Sequence, residues 1–301
     1  MKYNVFCDSG APFLYHQYAR AHKSGRMMGA HLKNRKDDNY DWLNSPDYLE
    51  YRDKYVRYIK KHEHETTVYT NLDIVNHPEY TWENQKWFEA QGLHPLPVWH
   101  FGSDPKWLAK YIDAGYDYIG IGGMVPNPYK VLKPSLDAVF TQYICDKDGY
   151  PKVKIHGFAA TSIPLMCRYP WYSVDSSTWI KTAAFGQIIV PRKRNGKWDY
   201  LNHPHKIEVS IKSPIRKTKA HFDHQPQSVK KYIYEYIEMH GFEMGLSAMQ
   251  DGEEKVIKAG LRNDYKLRAN LNMRYYVGLQ NALPEWPWKF KPNITKTLWD
   301  L

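Results

Sequence analysis

Short apolar runs alternate with amphipathic stretches along the first two-thirds of the chain. Runs rich in Val, Ile, Tyr and Phe and bounded by turn residues predict strands at residues 3–7, 67–72, 96–100, 118–121, 153–158, 171–174 and 187–190. Helix signals lie between them. Asn44-Ser45-Pro46-Asp47 reads as a cap with proline in the first turn, and the following stretch sets Tyr48, Tyr51, Tyr55, Tyr58 and Ile59 on one face. Residues 82–91 read as a helix stopped by Gly92. Ser103-Asp104-Pro105 opens another, with Trp107, Leu108, Tyr111 and Ile112 inward and Gly115 at its end. Strand–helix–strand repetition predicts parallel strands joined by helical crossovers. The first strand is not followed by a G-x-G-x-x-G turn, so the expected architecture is α/β, a (β/α)8 TIM-like barrel, although the sequence marks no eighth strand.

Two regions depart from this rhythm. Residues 11–45 form a long polar stretch with His22, Lys23, Arg26, Lys33, Arg35 and Lys36, expected to be a loop leaving the first strand. Beyond about residue 191 the chain turns basic, with Arg192-Lys193-Arg194 and Arg216-Lys217-Thr218-Lys219, and then helical. Val229, Tyr232, Ile233, Tyr236 and Ile237 share a helical face, Asp251-x-x-Glu254 reads as a capping box, and residues 263–280 are amphipathic. The expected organisation is a barrel core over 1–200 and a basic, mainly helical extension over 201–301 packed on it.

The chain has 301 residues, 43% of them hydrophobic and 25% charged, which fits a globular protein able to bury its core without staples. Lys and Arg outnumber Asp and Glu by 42 to 32, and the resulting charge of +10 favours a polyanionic partner. Cys7, Cys145 and Cys167 are too few and too far apart for a disulfide framework, and without a C-x-x-C a thiolate zinc site is not expected. His203, His205, His221 and His224 are the remaining metal-capable cluster, but no thiolate joins them, so no metal is assigned. The N-terminus lacks the apolar core of a signal peptide, and no run is long enough to span a bilayer. A soluble, cytoplasmic protein is expected, with no membrane partner.

In a β/α barrel the chemistry sits where the strands end. The first predicted strand ends in Asp8-Ser9-Gly10, the second in Asn71-Leu72-Asp73, and the third in Trp99-His100-Phe101-Gly102. The fourth ends in Gly122-Gly123-Met124, the fifth contains His156-Gly157-Phe158, and the sixth ends in Asp175-Ser176-Ser177. Singly, each aspartate reads as a helix cap or an Asx turn, and each histidine as a core residue. Three acids on one rim repel one another, which no capping role explains. Paired carboxylates suit cleavage of a glycosidic or N-glycosidic bond, and a glycine-lined slot lets backbone N–H and C=O groups approach the edge of a planar base.

These segments resemble the tRNA-guanine transglycosylases. Asp8-Ser9-Gly10-Ala11 resembles their D-S-G-G/A-F signature, and Ile121-Gly122-Gly123-Met124 their I-G-G-L base-binding strand. The closer resemblance is to the short bacteriophage members of that superfamily, the 7-deazaguanine DNA transglycosylases. It rests on Asn71-Leu72-Asp73, on Gly157 to Ser162, and on the run from Tyr169-Pro170-Trp171-Tyr172-Ser173-Val174-Asp175-Ser176 to Trp179. It covers roughly residues 3–200. The sequence departs at Pro12, which displaces the signature phenylalanine to Phe13, and in lacking any cysteine beyond Cys167 for the zinc site of the tRNA enzymes.

The resemblance implies a guanine exchange in DNA for a 7-deazaguanine base, without cofactor or metal. It implies Asp175 as nucleophile, Asp8 as general acid/base with Ser9 beside it, and Asp73 reading the donor edge of the base. His100 stands where the family has a glutamine, Gly122, Gly123 and Met124 would offer backbone contacts, and His156 and Phe158 would line or support the pocket. Lys23, Arg26, Lys33, Arg35, Arg192, Lys193, Arg194, Arg216 and Lys217 would face phosphates. The same exchange on tRNA and a non-catalytic nucleic-acid-binding barrel remain open alternatives.

Overall fold

The computed structural model describes residues 5–10, 43–75, 77–213 and 221–292. Lys23, Arg26, Lys33 and Arg35 of the basic loop, and Arg216 and Lys217, lie outside the described residues. The fold is mixed α/β. Its described residues group into two compact units that interleave along the chain. One holds the residues up to Ala160 with Tyr169–Asp175 and Lys289–Pro292; the other holds Thr161–Arg168 and the residues within Ser176–Trp288.

The first unit is built on parallel strands. These are β1 (Val5–Cys7), β2 (Thr66–Tyr69), β3 (Val98–His100), β4 (Tyr118–Gly122), β5 (Lys154–Gly157) and β6 (Ser173–Val174). β1 pairs with β2, and β3 to β6 pair in sequence order. A parallel bridge between Thr70 and Leu96 joins the two sets. The order is therefore consecutive, without the reversal of a doubly wound sheet. Strands lie about 4.8 Å apart, so a flat sheet would hold β1 and β5 roughly 19 Å from each other. Instead the rings of Phe6 on β1 and His156 on β5 stack with centroids 4.4 Å apart. The strands curve toward one another.

Helices cover these strands for reasons legible in their sequence. Helix Pro46–His62 starts where the Ser45 hydroxyl accepts from the Tyr48 N–H at 3.2 Å, carries Asp47 in its first turn, and ends in Lys60, Lys61 and His62, matching its dipole at both ends. It buries Tyr48, Tyr55, Val56 and Ile59 against Leu72, Phe88 and Leu93. Val56 takes the buried position expected of Tyr58, which is exposed. Helix Lys106–Asp113 buries Leu108 and Tyr111, after the Asp104 carboxylate accepts from the Lys106 N–H at 2.9 Å.

The second unit has its own core around Ile188, Val190, Ile207, Tyr236 and Leu271. β7 (Gln187–Val190) pairs antiparallel with β10 (His205–Glu208), and helices Gln227–Met239 and Tyr265–Ala282 complete it. Two hairpins stand in this unit, and the second interrupts the stretch expected to be helical. β8 (Arg192–Arg194) and β9 (Lys197–Asp199) turn at Asn195-Gly196, and β11 (Leu246–Gln250) and β12 (Glu253–Lys258) turn at Asp251-Gly252. All four turn residues have positive φ, 48° and 76° in the first turn and 52° and 81° in the second. Asp251 is therefore a hairpin turn residue and not the start of a capping box. Among the described residues no helix is long and apolar enough to cross a membrane.

Candidate active site at the ends of the parallel strands

All ten residues assigned to the base-exchange site lie in the first unit, within or just beyond the carboxyl ends of the six parallel strands. Asp8 and Ser9 follow β1, Asp73 follows β2, and His100 ends β3. Gly122 ends β4, with Gly123 and Met124 after it. His156 lies in β5 with Phe158 just beyond, and Asp175 follows β6.

The backbone at Asp8 is held from behind. The Ser9 N–H donates to Thr70 Oγ1 at 2.8 Å, and the Tyr51 hydroxyl donates to the Ser9 carbonyl at 2.6 Å. Gly10 has φ +70°, and a Cβ there would meet the Tyr51 hydroxyl at 2.7 Å, so the turn after Asp8 requires glycine. Burial raises the proton affinity of Asp8 above the ordinary carboxylate range, and the charges of Asp73 and Asp175 push the same way. The N–H groups of Gly10 and Ser9 oppose this without reversing it. Asp73 and Asp175 thus both act on Asp8.

Asp73 is paired with a base. Its Oδ2 lies 2.7 Å from His100 Nε2, and the His100 side chain is almost wholly buried. Gly122 packs against that imidazole: a Cβ would stand 3.1 Å from His100 Cδ2. Gly123 has φ +71°, and its absent Cβ leaves room beside the Phe101 backbone. The glycine pair therefore lets β4 lie close against His100. Met124 is buried.

Asp175 is in a different environment. Its side chain is 54% exposed, yet one oxygen is tied inward. The Ala159 N–H donates to Oδ1 at 2.8 Å, and His156 Nε2 approaches the same oxygen at 3.7 Å. Burial works against the charge of Asp175, but His156 and the Ala159 N–H outweigh it and hold the carboxyl below the ordinary range. Ala159 makes its contact from the left-handed region, with φ 56°, a conformation that strains a residue bearing a Cβ. Phe158 lies edge-on to His156 at 4.4 Å, and Gly120 must be glycine because a Cβ would approach the Phe158 ring to 2.5 Å.

Three participants carried no signal of their own in the sequence. Ser173 Oγ lies 2.6 Å from both His156 Nδ1 and the Tyr118 hydroxyl, and Phe6 covers the imidazole face. Register places them: His156 pairs with Ser173 across β5 and β6.

The basic residues of β8 are engaged differently. Lys193 pairs with Glu235, Arg194 Nε lies 3.0 Å from Asp199, and Arg192 Nε donates to the His203 carbonyl at 2.9 Å. Among the described residues no three His, Cys, Asp or Glu side chains gather to hold a metal ion. His221 caps a short turn, its Nδ1 accepting from the Asp223 N–H at 3.1 Å. Compared with protein-family models, with curated proteins and with solved structures, the chain matches none.

Proposed function

We propose that the parallel strands belong to a (β/α)8 TIM-like barrel, and that the rim of carboxylates exchanges guanine in DNA for a 7-deazaguanine base. The observation that carries this reading is the opposed tuning of two acids on one rim. Asp8 is pushed toward its protonated form and Asp175 toward its charged form. Such a division marks an acid and a nucleophile. The consecutive strand order and the approach of β1 to β5 favour the barrel.

In this mechanism a target guanosine leaves the stack and enters the rim. The Asp175 carboxylate attacks C1′, the C1′–N9 bond breaks, and the Asp8 proton goes to the departing guanine. The incoming 7-deazaguanine then gives its N9 proton to Asp8 and attacks C1′, releasing the Asp175 carboxylate. Two inversions give net retention, and departure before entry makes the kinetics ping-pong. Asp73, fixed by His100, accepts hydrogen bonds from the base. The reaction is redox-neutral and balances without a cofactor. The basic stretches carry the polynucleotide through Lys23, Arg26, Lys33, Arg35, Arg192, Lys193, Arg194, Arg216 and Lys217, of which Lys193 and Arg194 must first leave Glu235 and Asp199.

The test is a base-exchange assay with radiolabelled guanine and with 7-deazaguanines, on single-stranded DNA, duplex DNA and tRNA. Incorporation into DNA that falls by on the order of 10⁴-fold in Asp175→Asn supports the reading. Incorporation into tRNA alone retains the chemistry and replaces the substrate. No incorporation into any polymer overturns the reading.

A further inference from the structure

His156 is 2% exposed, and its Nε2 is a buried polar atom without a hydrogen-bond partner within normal reach. A buried nitrogen left unsatisfied destabilises a fold unless a partner comes within reach. The atom points at Asp175 Oδ1, 3.7 Å away. The other ring nitrogen is tightly held: Nδ1 lies 2.6 Å from Ser173 Oγ, and that oxygen lies 2.6 Å from the Tyr118 hydroxyl. Phe6 stacks on the ring, 24° from parallel, and Phe158 meets it edge-on. The imidazole is fixed on every side except the one facing Asp175.

With a neutral ring, and with Ser173 bonding only to these two groups, the hydrogen bonds of this chain run in one of two directions. In one, Tyr118 donates to Ser173, Ser173 donates to Nδ1, and Nε2 carries the ring proton toward the carboxylate. In the other, Nδ1 donates to Ser173, Ser173 donates to Tyr118, and Nε2 presents a lone pair to a carboxylate. The second sets the lone pair of a buried ring against an anion, so electrostatics selects the first. The titratable groups around the ring are Tyr118 on β4, Asp175 beyond β6, and Asp8 on the same rim; Phe6 and Phe158 add none. Burial raises the Tyr118 phenol, which keeps it a donor.

We infer that Tyr118, Ser173 and His156 form a directed relay that presents an Nε2 proton to Asp175 and so fixes its charge and orientation for attack. His156 is on this inference a positioning residue and not a contact to the base. The inference rests on the reading of Asp175 as nucleophile only for its catalytic consequence; the tautomer and the hold on Asp175 stand without it. Thermal motion of a few tenths of an ångström brings Nε2 within hydrogen-bond range of Oδ1. Attack on C1′ loads the carboxylate, and release of the new nucleoside restores its charge. A fixed donor favours that return and keeps the second oxygen pointing outward.

The experiment uses the full chain with isotope-labelled histidine, the His156 signals assigned by their loss in His156→Gln. A proton on Nε2 with a bare Nδ1 at neutral pH is expected; a bare Nε2, or a proton on both nitrogens, overturns the relay. Carboxyl-carbon NMR then follows the titration of Asp175. His156→Phe keeps the stack on Phe6 and removes both nitrogens, whereas His156→Gln can still donate. The midpoint of Asp175 should rise in His156→Phe, return most of the way in His156→Gln, and move by an intermediate amount in Ser173→Ala. An unmoved midpoint in His156→Phe overturns the inference, and Ser173→Ala decides it should His156→Phe fail to fold. In the exchange assay kcat should fall about 10²-fold in His156→Phe, with KM for the incoming base little changed. A moved midpoint with no base exchange in wild type supports the relay and removes the proposed function. Exchange with an unchanged kcat in folded His156→Phe overturns the relay's catalytic role and leaves the proposed function standing.

Discussion

Asp8 shares its rim with two other carboxylates and, among the described residues, has no Lys or Arg ion-paired to it. Lys193 and Arg194 on β8 each face a single acid, Glu235 and Asp199. The sequence presents the acids as the ends of separate strands and the cations as one contiguous run. In the fold Asp8 keeps the repulsion of its two neighbours, whereas the two β8 cations are each neutralised by an acid. A protein has no folding reason to gather unneutralised acids, because their repulsion costs stability whenever they are ionised together. Paired surface cations satisfy an ordinary requirement of solubility. On the proposed function, that difference is the one between acids gathered for chemistry and cations paired for structure.

The largest effect expected after loss of Asp175 comes from Asp8. Replacing it with Asn removes the proton source for the departing base, and kcat should fall by about 10²–10⁴-fold. The activity of the wild type should fall on the alkaline side at a pH above the ordinary carboxylate range, where Asp8 loses its proton. It should fall on the acid side below that range, where Asp175 gains one. A pH–rate profile checks both limbs, and the alkaline limb should vanish in Asp8→Asn. A pair of limbs at ordinary carboxylate values would remove the contrast between the two acids.

Asp73→Asn sharpens the same contrast. One of the charges raising Asp8 disappears, so the proton affinity of Asp8 falls and the alkaline limb moves to lower pH. The base also loses a charged acceptor, worth about 1.5–3 kcal/mol, which corresponds to roughly a 10- to 150-fold rise in KM. The same linkage acts on stability. Asp175 is held below its unfolded value, so its contribution is present above that value and is lost as pH falls through the folded one. Asp8 is held above its unfolded value, so its share is present at low pH and is lost as pH rises through the folded one. Thermal melts of Asp8→Asn and Asp175→Asn across the acid range should therefore diverge from wild type in opposite directions.

The fold and the site were legible to different depths. Six of the seven expected strands align as the parallel set because each is a short β-branched or aromatic run closed by a turn. The two hairpins of the second unit were not read, although Asn195-Gly196 and Asp251-Gly252 are strong turn signals. Their flanking strands are short and largely exposed, so no sustained alternation of buried apolar and exposed polar residues marks them. The rim acids were legible because each closes a strand. The relay through Ser173 and Tyr118 was not, because it runs sideways across β4, β5 and β6, and lateral neighbours depend on register. Ala159 gave no signal either, since alanine seldom adopts the conformation it holds there.

A smaller effect is expected from Gly157→Ala. The added Cβ would stand 2.7 Å from the Ala160 side chain and 3.1 Å from the buried Trp171 ring. Neither neighbour is a flexible chain end, so the substitution should cost about 1–3 kcal/mol, read as a lower midpoint in thermal or denaturant unfolding. The turn it distorts carries the Ala159 N–H to Asp175. The acid limb of the pH–rate profile should accordingly move up with the loss of stability. A destabilised protein with an unmoved acid limb would separate packing at Gly157 from the hold on Asp175.

The smallest effects belong to the paired cations. Arg194→Ala removes an exposed ion pair, worth at most about 1 kcal/mol, and Lys193→Ala should cost no more. Their behaviour toward DNA breaks or completes the comparison. A cation that gives up a counterion to a phosphate contributes about 0.9 to the slope of log affinity against log salt on duplex DNA. Lys193 and Arg194 must leave Glu235 and Asp199 to do so, and the stranded acids would then face the polyanion. Each single substitution should therefore change the slope by well under that amount. Joint replacement of Lys23, Arg26, Lys33 and Arg35 by Ala should flatten it by several times as much. If instead Arg194→Ala alone removes a full phosphate contact, the β8 pairs open on binding, and neutralisation in the free protein is no guide to which cations carry the nucleic acid.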